Sequence, residues 1–530
     1  MNGDGTNGGG NGRNPWLIAP VVALAAFMEV LDISIANVSL QHIAGDLSAS
    51  QDESTWVLTS YLVTNAIVLP ISGWLSTVLG RRRFFIFCIV GFSVSSLCCG
   101  LAPNLPLLIL FRAIQGLTGG GLQPLAQAIL TDAFPPSKRG MAFALYGMSV
   151  VFAPAIGPTL GGWITDSASW RWVFLINVPV GMILVPLVTT FVEDPAHAVA
   201  ERLERWKKGI RIDYVGFALL VLGLGALQVM LDKGQEKDWF SSAFIVWTGI
   251  ASLVGLIAFV IWELGQEDPI VDLRLLASRN FGTGNLLMFM LGVILLGSTV
   301  LLPMLVQQIF GYTATLAGKV ITPGGMAIIL FMPIVGRMVN RVDVRWMIIA
   351  GLVLCSLALH RMAGFSPDTG YASFVWARIL QAFGLSLLFI PISTAAMTGM
   401  AREKSNQASA LINLSRNLGG SVGISIAVSQ LSRQAQEHQN VLVAHANPLS
   451  SAYTHMIDGL SATFLRHGAT AAEALHQAQA QVYGLILRQA SLLAFLDDFD
   501  LLAISFICMA PLVFLMERPH FHDHPPGGAH

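Results

Sequence analysis

Long apolar runs separated by short polar breaks make up most of this chain. Beyond Trp16, mainly apolar runs fall near 16–39, 56–79, 84–102, 105–130, 140–164, 171–193, 213–232, 242–263, 281–310, 316–340, 346–364, 371–400, 407–430 and 492–516. A helix rises about 1.5 Å per residue, so about 20 residues cross a hydrocarbon core ~30 Å thick. The pattern predicts an all-α integral membrane protein with about 14 transmembrane helices.

The polar breaks predict the orientation. Arg81, Arg82, Arg83, Lys138, Arg139, Arg202, Arg205, Lys207, Lys208, Arg211, Arg274, Arg279, Arg337, Arg341, Arg345, Arg402 and Lys404 all fall at or within the breaks between an even-numbered run and the next odd one. The alternate short breaks hold few cations, such as Arg171, Lys233 and Lys237. Basic loops stay in the cytoplasm, which is expected to hold both termini. Two breaks are unusual. The segment 194–212 is basic with a helical pattern, as in an amphipathic helix on the cytoplasmic surface. The segment 433–489 is long, polar and rich in Ala, Gln and His. It is expected outside the membrane as one or two helices that dock a partner.

Composition agrees with lipid as the main solvent. The 530 residues are 54% hydrophobic and 12% charged, against about 25% charged in soluble chains. Net charge is −1, which gives no reason to expect a nucleic-acid partner. Residues 1–15 read as a disordered cytoplasmic tail with no cleavage site after the first run, and 517–530 as a second tail. The five cysteines fall in apolar runs and read as packing residues. The alternating His520, His522 and His524 read as solvated tail residues. No metal site, P-loop or nucleophile–base arrangement is apparent, so no cofactor and no enzymatic activity are expected.

The two halves echo each other. Pro70-Ile71-Ser72-Gly73 followed by Arg81, Arg82 and Arg83 recurs as Pro333-Ile334-Val335-Gly336 followed by Arg341 and Arg345. Arg112-Ala113-Ile114-Gln115 recurs as Arg378-Ile379-Leu380-Gln381. Small residues recur at every fourth position as Ala153, Gly157, Gly161 and as Ser415, Gly419, Gly423, Ala427. Such duplication predicts two six-helix bundles, 16–193 and 281–516, related by an axis along the membrane normal. The pair in 213–263 falls between them. Substrate is expected at the bundle interface near the midplane.

A few residues carry candidate chemistry. Glu29 and Asp32 share a face of the first helix, and Arg112 lies inside the fourth. An ionisable group in lipid costs at least ~2.5 kcal/mol, so each is a functional candidate. Counted from the outer helix ends, Asp32 and Arg112 lie at similar depth, ~10–12 Å down, with Glu29 about one turn deeper. They are candidates for proton coupling; a static ion pair is the alternative for Asp32 and Arg112, and attraction of a cationic substrate for Glu29. Asn37, Gln115, Gln123, Gln127, Gln381 and Asn413 are polar groups in apolar helices that each need a partner. Phe27, Phe152, Trp376, Phe383 and Phe389 are candidates for an adaptable apolar pocket or for simple packing. Of these, Glu29, Asn37, Gln115, Gln123, Phe152, Trp376, Gln381 and Phe383 are taken as the substrate pathway. In Gly147 to Gly162, Pro154 and Pro158 are expected to bend the fifth helix, and its small face to allow close helix approach.

These residues resemble the 14-helix drug:proton antiporters of the major facilitator superfamily, the EmrB/QacA type, and most of all its EmrB-like branch. Leu31 to Val38 resembles the first-helix motif and Arg112-Ala113-Ile114-Gln115-Gly116 the fourth-helix motif, whose Arg is tied to proton coupling. Gly147, Pro154, Gly157, Pro158, Gly161 and Gly162 fit the fifth-helix motif of exporters. Trp170 to Pro179, Asp213 to Gly216 and Arg416 to Gly420 also fit. Gly73, Gly80, Arg81 and Arg82 match the cytoplasmic loop motif. Thr77 stands where the superfamily usually has Asp, an Asp that EmrB-like members also tend to lack. The resemblance implies proton-driven export of lipophilic compounds across a Gram-negative inner membrane. It also implies two partners, an EmrA-like periplasmic membrane-fusion adaptor and a TolC-like outer-membrane channel. Export of a specific metabolite or fatty acid, or a non-exporting facilitator or symporter, is the alternative reading.

Overall fold

The computed structural model describes residues 14–194, 213–339, 341–401 and 404–516, with positions 199, 200, 202, 203, 206 and 207 between. The expectations for 1–13, for most of the 194–212 linker and for the tail histidines fall outside these residues. Among the described residues there is no strand.

The main helices are α1 (Pro15–Val38), α2 (Trp56–Leu79), α3 (Arg81–Gly100), α4 (Leu105–Gly119 and Leu122–Ala133), α5 (Pro136–Ser167) and α6 (Arg171–Phe191). The extra pair is α7 (Tyr214–Lys233) and α8 (Ala243–Gly265). The second half holds α9 (Arg279–Gln308), α10 (Ala314–Met338), α11 (Val344–Ala363), α12 (Tyr371–Met397) and α13 (Ser405–His445). It ends in α14 (Ser451–Arg466) and α15 (Ala471–Cys508). Twelve helices among the described residues are long and apolar enough to cross a membrane. They are α1 to α12; the other two expected spans, 407–430 and 492–516, fall mostly within α13 and α15, which extend well beyond those stretches into polar sequence.

Local chemistry sets the helix starts. Asn14 caps α1 by accepting from the Trp16 amide at 3.0 Å, and Asn104 caps α4 by accepting from Leu107 at 3.0 Å. Thr470 and Glu473 close a reciprocal capping box at the start of α15, and those contacts with Thr470 hold the exposed Glu473 carboxyl below its ordinary range. Gly80 ends α2 at φ +88°, a conformation that side chains rarely adopt, and lets the chain turn straight into α3. There Arg82 donates its backbone amide to Asp194 at 2.8 Å, and Asp194 also pairs with Arg202 at 3.1 Å. Thr77 bonds back to the Gly73 carbonyl at 3.1 Å, as a hydroxyl in a helix does.

Small residues decide which helices touch. The Ala153–Gly157–Gly161 face of α5 lies on α1, where a Cβ on Gly157 would strike Ser34 and one on Gly161 would crowd Ile35. The matching row on α13 lies on α9, with Gly419 and Gly423 against the Phe289 and Val293 carbonyls. The halves meet through a reciprocal pair of contacts at the basic end. Gly73 of α2 meets Gln407 of α13, and Gly336 of α10 meets Gly140 of α5. Thus the repeated Pro-Ile-x-Gly sequences form both crossings. Away from the basic end, Thr159 of α5 bonds Thr322 of α10 at 3.3 Å.

The pair α7 and α8 lies outside this arrangement. Helix α7 bridges α2 and α13, with Gln228 bonded to Ser421 at 3.0 Å, and in the turn beyond it Trp239 bonds Ser429 at 3.0 Å. Helix α8 packs mainly on α7 and exposes Trp247, Leu253, Ile257 and Ile261, a surface suited to lipid.

Candidate functional site: buried charges of α1, α4 and α13

Asp32 and Arg112 meet. The Arg112 guanidinium donates to Asp32 Oδ2 at 2.5 Å, and neither side chain has any exposed surface. Asp32 Oδ1 accepts from Asn177 of α6 at 2.7 Å and from Gln115 at 3.1 Å. Arg112 also donates to the Gln115 carbonyl at 2.8 Å and, through Nε, to the Val57 carbonyl at 3.1 Å. Its plane lies 4.4 Å from the Tyr61 ring centre and 5.3 Å from that of Phe174. Ser96 of α3 receives Gln115 at 3.1 Å and Asn177 at 3.0 Å, and donates to the Phe174 carbonyl at 2.8 Å. Five helices therefore fix one ion pair. In so dry a place the pair persists because both Asp32 oxygens and the Nε and Nη1 groups of Arg112 have partners, while Arg112 Nη2 has no hydrogen-bond partner among the described residues and lies against aromatic rings.

Glu29 belongs to a second group, about one turn deeper. Its Oε1 accepts from Asn65 of α2 at 2.9 Å, while Oε2 has no hydrogen-bond partner among the described residues. Gln123, in the second part of α4, stands beside the Glu29 carboxyl, and its carbonyl accepts from Arg416 of α13. Arg416 also donates to Asn417 at 3.1 Å and lies 6.0 Å from the Phe389 ring centre. One turn along, Gln127 accepts from Asn413 at 2.7 Å, and Tyr146 of α5 donates to Asn413 at 3.0 Å. The interruption of α4 at Gly120 and Gly121 separates the Arg112 group from this one. Both glycines are tightly enclosed, by Asn65 and by Cys88 respectively.

Other expected site residues lie elsewhere. Gln381 is buried in the second half, accepting from Arg378 at 2.6 Å and donating to Ser298 at 2.8 Å. Phe152 stacks on Phe27 with centres 6.3 Å apart, between α5 and α1. Trp376 is 68% exposed, on the flank of α12 away from Arg378 and Gln381, and Phe383 on the same flank packs on Phe331 at 4.6 Å. Asn37 is exposed near the end of α1. The structure does not bring Trp376, Phe383 or Asn37 to the central charges. Gly147 receives the Phe389 ring, Pro154 accepts from Ser34 at 3.5 Å, Pro158 is half-buried, and Gly162 faces open space. In the loop motif, Arg81 pairs with Asp132 and donates to Ser405 of α13 at 3.1 Å, and Arg82 bonds the Thr189 carbonyl with its side chain.

Residues not picked out as site candidates complete both groups: Asn177, Ser96, Tyr61, Asn65 and Arg416. Arg416 had the same signal as Arg112, a cation inside an apolar run. No group of three or more His, Cys, Asp or Glu converges as a metal site among the described residues.

A helical bundle with duplicated halves and a charged interior is the arrangement of a membrane carrier. The family profile described as Major Facilitator Superfamily matches residues 22–424, and the chain belongs to that family. It is a transporter, not an enzyme. The chain is 41% identical over 453 residues to the multidrug export protein EmrB of Haemophilus influenzae, covering 84% of this chain and 87% of that protein. It is 36% identical over 513 residues to the multidrug export protein EmrB of Escherichia coli, covering 96% of each. The solved structure of the proton:xylose symporter XylE superposes with a TM-score of 0.57 at 14% identity, covering 95% of this chain and 99% of that one. That likeness shows the fold alone.

Proposed function

We propose that this transporter exports lipophilic drug-like compounds in exchange for protons, by alternating access between its two halves. It is a multi-pass protein of the inner membrane. The observation that carries the reading is the Asp32–Arg112 pair, an acid and a base sealed together where a proton on Asp32 would break their attraction. In a family of gradient-driven carriers whose named relatives export drugs, that pair is the best candidate for coupling. One charge crossing ~150 mV supplies about 3.5 kcal/mol, enough for roughly a 300-fold gradient of a neutral substrate. No cofactor is required.

In this reading the basic end faces the cytoplasm and holds both termini. Helices α13 and α15 add two crossings to the other twelve, making fourteen. The bundles are 16–193 and 281–516, with 213–263 inserted between them. The distal part of α13, all of α14 and the first part of α15 project into the periplasm. A small apolar cluster of Ile457, Ala478 and Val482 supports them, while Val441, Leu449 and Leu475 are exposed. This projection is the docking element for a periplasmic membrane-fusion adaptor, which leads to an outer-membrane channel.

The test is proton-driven movement of a lipophilic dye in proteoliposomes, comparing wild type with Asp32→Asn at equal incorporation. Transport by wild type and none by the variant is expected. Equal transport by both would make Asp32 structural and overturn the coupling role.

A further inference from the structure

Two polar stripes face each other across the halves, from the membrane centre to the basic end. On α4 the stripe is Gln123, Gln127 and Thr131, four residues apart; on α13 it is Asn406, Ser409, Asn413 and Arg416, three and four apart. All seven are nine-tenths buried or more. Spacings of three and four put each set on one helix face. The helices run in opposite senses, so Gln123 meets Arg416 and Gln127 meets Asn413 at 2.7 Å. Tyr146 of α5 adds a bond to Asn413 at 3.0 Å. At the basic end, Arg81, paired with Asp132 of α4, donates to Ser405 of α13 at 3.1 Å. Glu29 stands at the inner head of the ladder, beside Gln123.

We infer that this ladder is a latch that carries the charge state of Glu29 to the basic end, through Gln123 and Arg416. The inference rests on the proton-antiport reading above. Arg416 is always charged and has no carboxylate in direct contact among the described residues; its bonds go to the amides of Gln123 and Asn417, and the Tyr146 hydroxyl lies beside it. The carbonyl of Gln123 is spent on Arg416, which leaves its NH2 for Glu29. An ionised Glu29 thus aligns the amide dipole and holds Arg416 against α4. A proton on Glu29 removes that anchor and leaves the cation buried among neutral groups, a costly state that hydration relieves. The ladder then opens, and Ser409 Oγ and Asn406 Oδ1, which have no partner among the described residues in the closed form, gain water. The order suits an exchanger. The protonated protein opens to the basic end, the proton leaves, substrate enters, and the ionised Glu29 draws Arg416 back.

Other charges and titratable groups flank Glu29. Asp32 is on α1 itself, with Tyr61 on α2, Cys88 on α3, Arg112 on α4, Tyr146 on α5 and Arg416 on α13; α6 contributes Asn177, which does not titrate. Asp32 is occupied by Arg112, so Glu29 is the acid free to act on the ladder.

The experiment places a single cysteine at Ser409→Cys in the full chain, with Cys88, Cys98, Cys99, Cys355 and Cys508 replaced. A membrane-impermeant maleimide is added to the basic side of inside-out vesicles at about pH 5.5 and about pH 8.5, and rates are normalised to a cysteine in an exposed loop. The latch predicts about tenfold faster normalised labelling at the lower pH. Thiol ionisation alone would act in the opposite direction. Glu29→Gln and Arg416→Gln are expected to label fast at both pH values. Gln123→Leu, which keeps every charge, should do the same and serves if Arg416→Gln does not fold. Slow labelling at both pH values in the parent, or an unchanged pH response in Gln123→Leu, overturns the latch. If Asp32→Asn abolishes dye transport while labelling stays flat, proton coupling stands and the latch alone fails.

Discussion

Arg112 and Arg378 begin the same Arg-x-x-Gln sequence in matching helices of the two halves, yet they meet different neighbours. Each guanidinium bonds the Gln one turn on, at 2.8 Å in the first half and 2.6 Å in the second. Each Gln then reaches the first helix of its own half, where Gln115 donates to Asp32 and Gln381 to Ser298. Arg112 finds the Asp32 carboxylate, while Arg378 finds, among the described residues, the Thr299 hydroxyl at 3.3 Å. Duplication kept the scaffold and the cation, and among the described residues the acid at this position is present in the first half alone. In the proposed antiport, a proton acts on the first group through Asp32. No physiological proton changes the second, because Arg stays charged and Ser, Thr and Gln do not titrate. Under the proposed coupling, this group of the first half responds to a gradient and its counterpart in the second half holds a fixed charge.

The largest expected effect follows from breaking the complete pair. Arg112→Leu leaves Asp32 buried without its cation, which costs about 3–5 kcal/mol. Thermal unfolding in detergent should show a marked loss, and proton-driven transport should disappear. Arg378→Met acts on the half without an acid. It leaves the Gln381 carbonyl unbonded at about 1–3 kcal/mol, partly offset because a buried charge is gone. Transport should survive with a smaller loss of stability. If Arg378→Met abolishes transport in a folded protein, the two halves are not divided in this way.

The comparison sharpens with the paired glutamines. Gln115→Leu removes a donor to Asp32, and Gln381→Leu removes one to Ser298, each worth about 1 kcal/mol or somewhat more. Only Gln115→Leu should shift the pH profile of transport, measured by efflux at several external pH values. The smallest effect belongs to Trp376→Ala. At 68% exposure its truncation should change stability by about 0.5 kcal/mol or less and leave transport intact. A loss of dye transport there would return Trp376 to the substrate path.

Much of this was legible in the sequence, for a physical reason. Lipid tolerates few ionisable groups, so Glu29, Asp32 and Arg112 stood out, and counting helical rise put Asp32 and Arg112 at one depth. The duplicated Pro-Ile-x-Gly and Arg-x-x-Gln sequences marked the halves in the same way. Asn177, Ser96 and Asn65 were not legible, because small polar side chains are tolerated in membrane helices and nothing local shows which one faces an acid. That Trp376 and Phe383 lie away from the central charges was not legible for a related reason: an apolar run does not show which face of its helix turns toward them. The ends of α13 and α15 were hidden because apolar runs mark where a helix crosses lipid, not where it stops. Past Leu431 the sequence turns polar but holds no helix breaker before His445, and the helix continues.

The central claim is that one half binds the proton. It is tested most directly by proton release from purified protein in weakly buffered detergent when a lipophilic substrate is added, followed with a pH-sensitive dye. Wild type and Arg378→Met should release protons on binding, and Asp32→Asn should release fewer or none. Equal release from Asp32→Asn and wild type, at matched substrate binding, would contradict the account and move the proton away from the first half's ion pair.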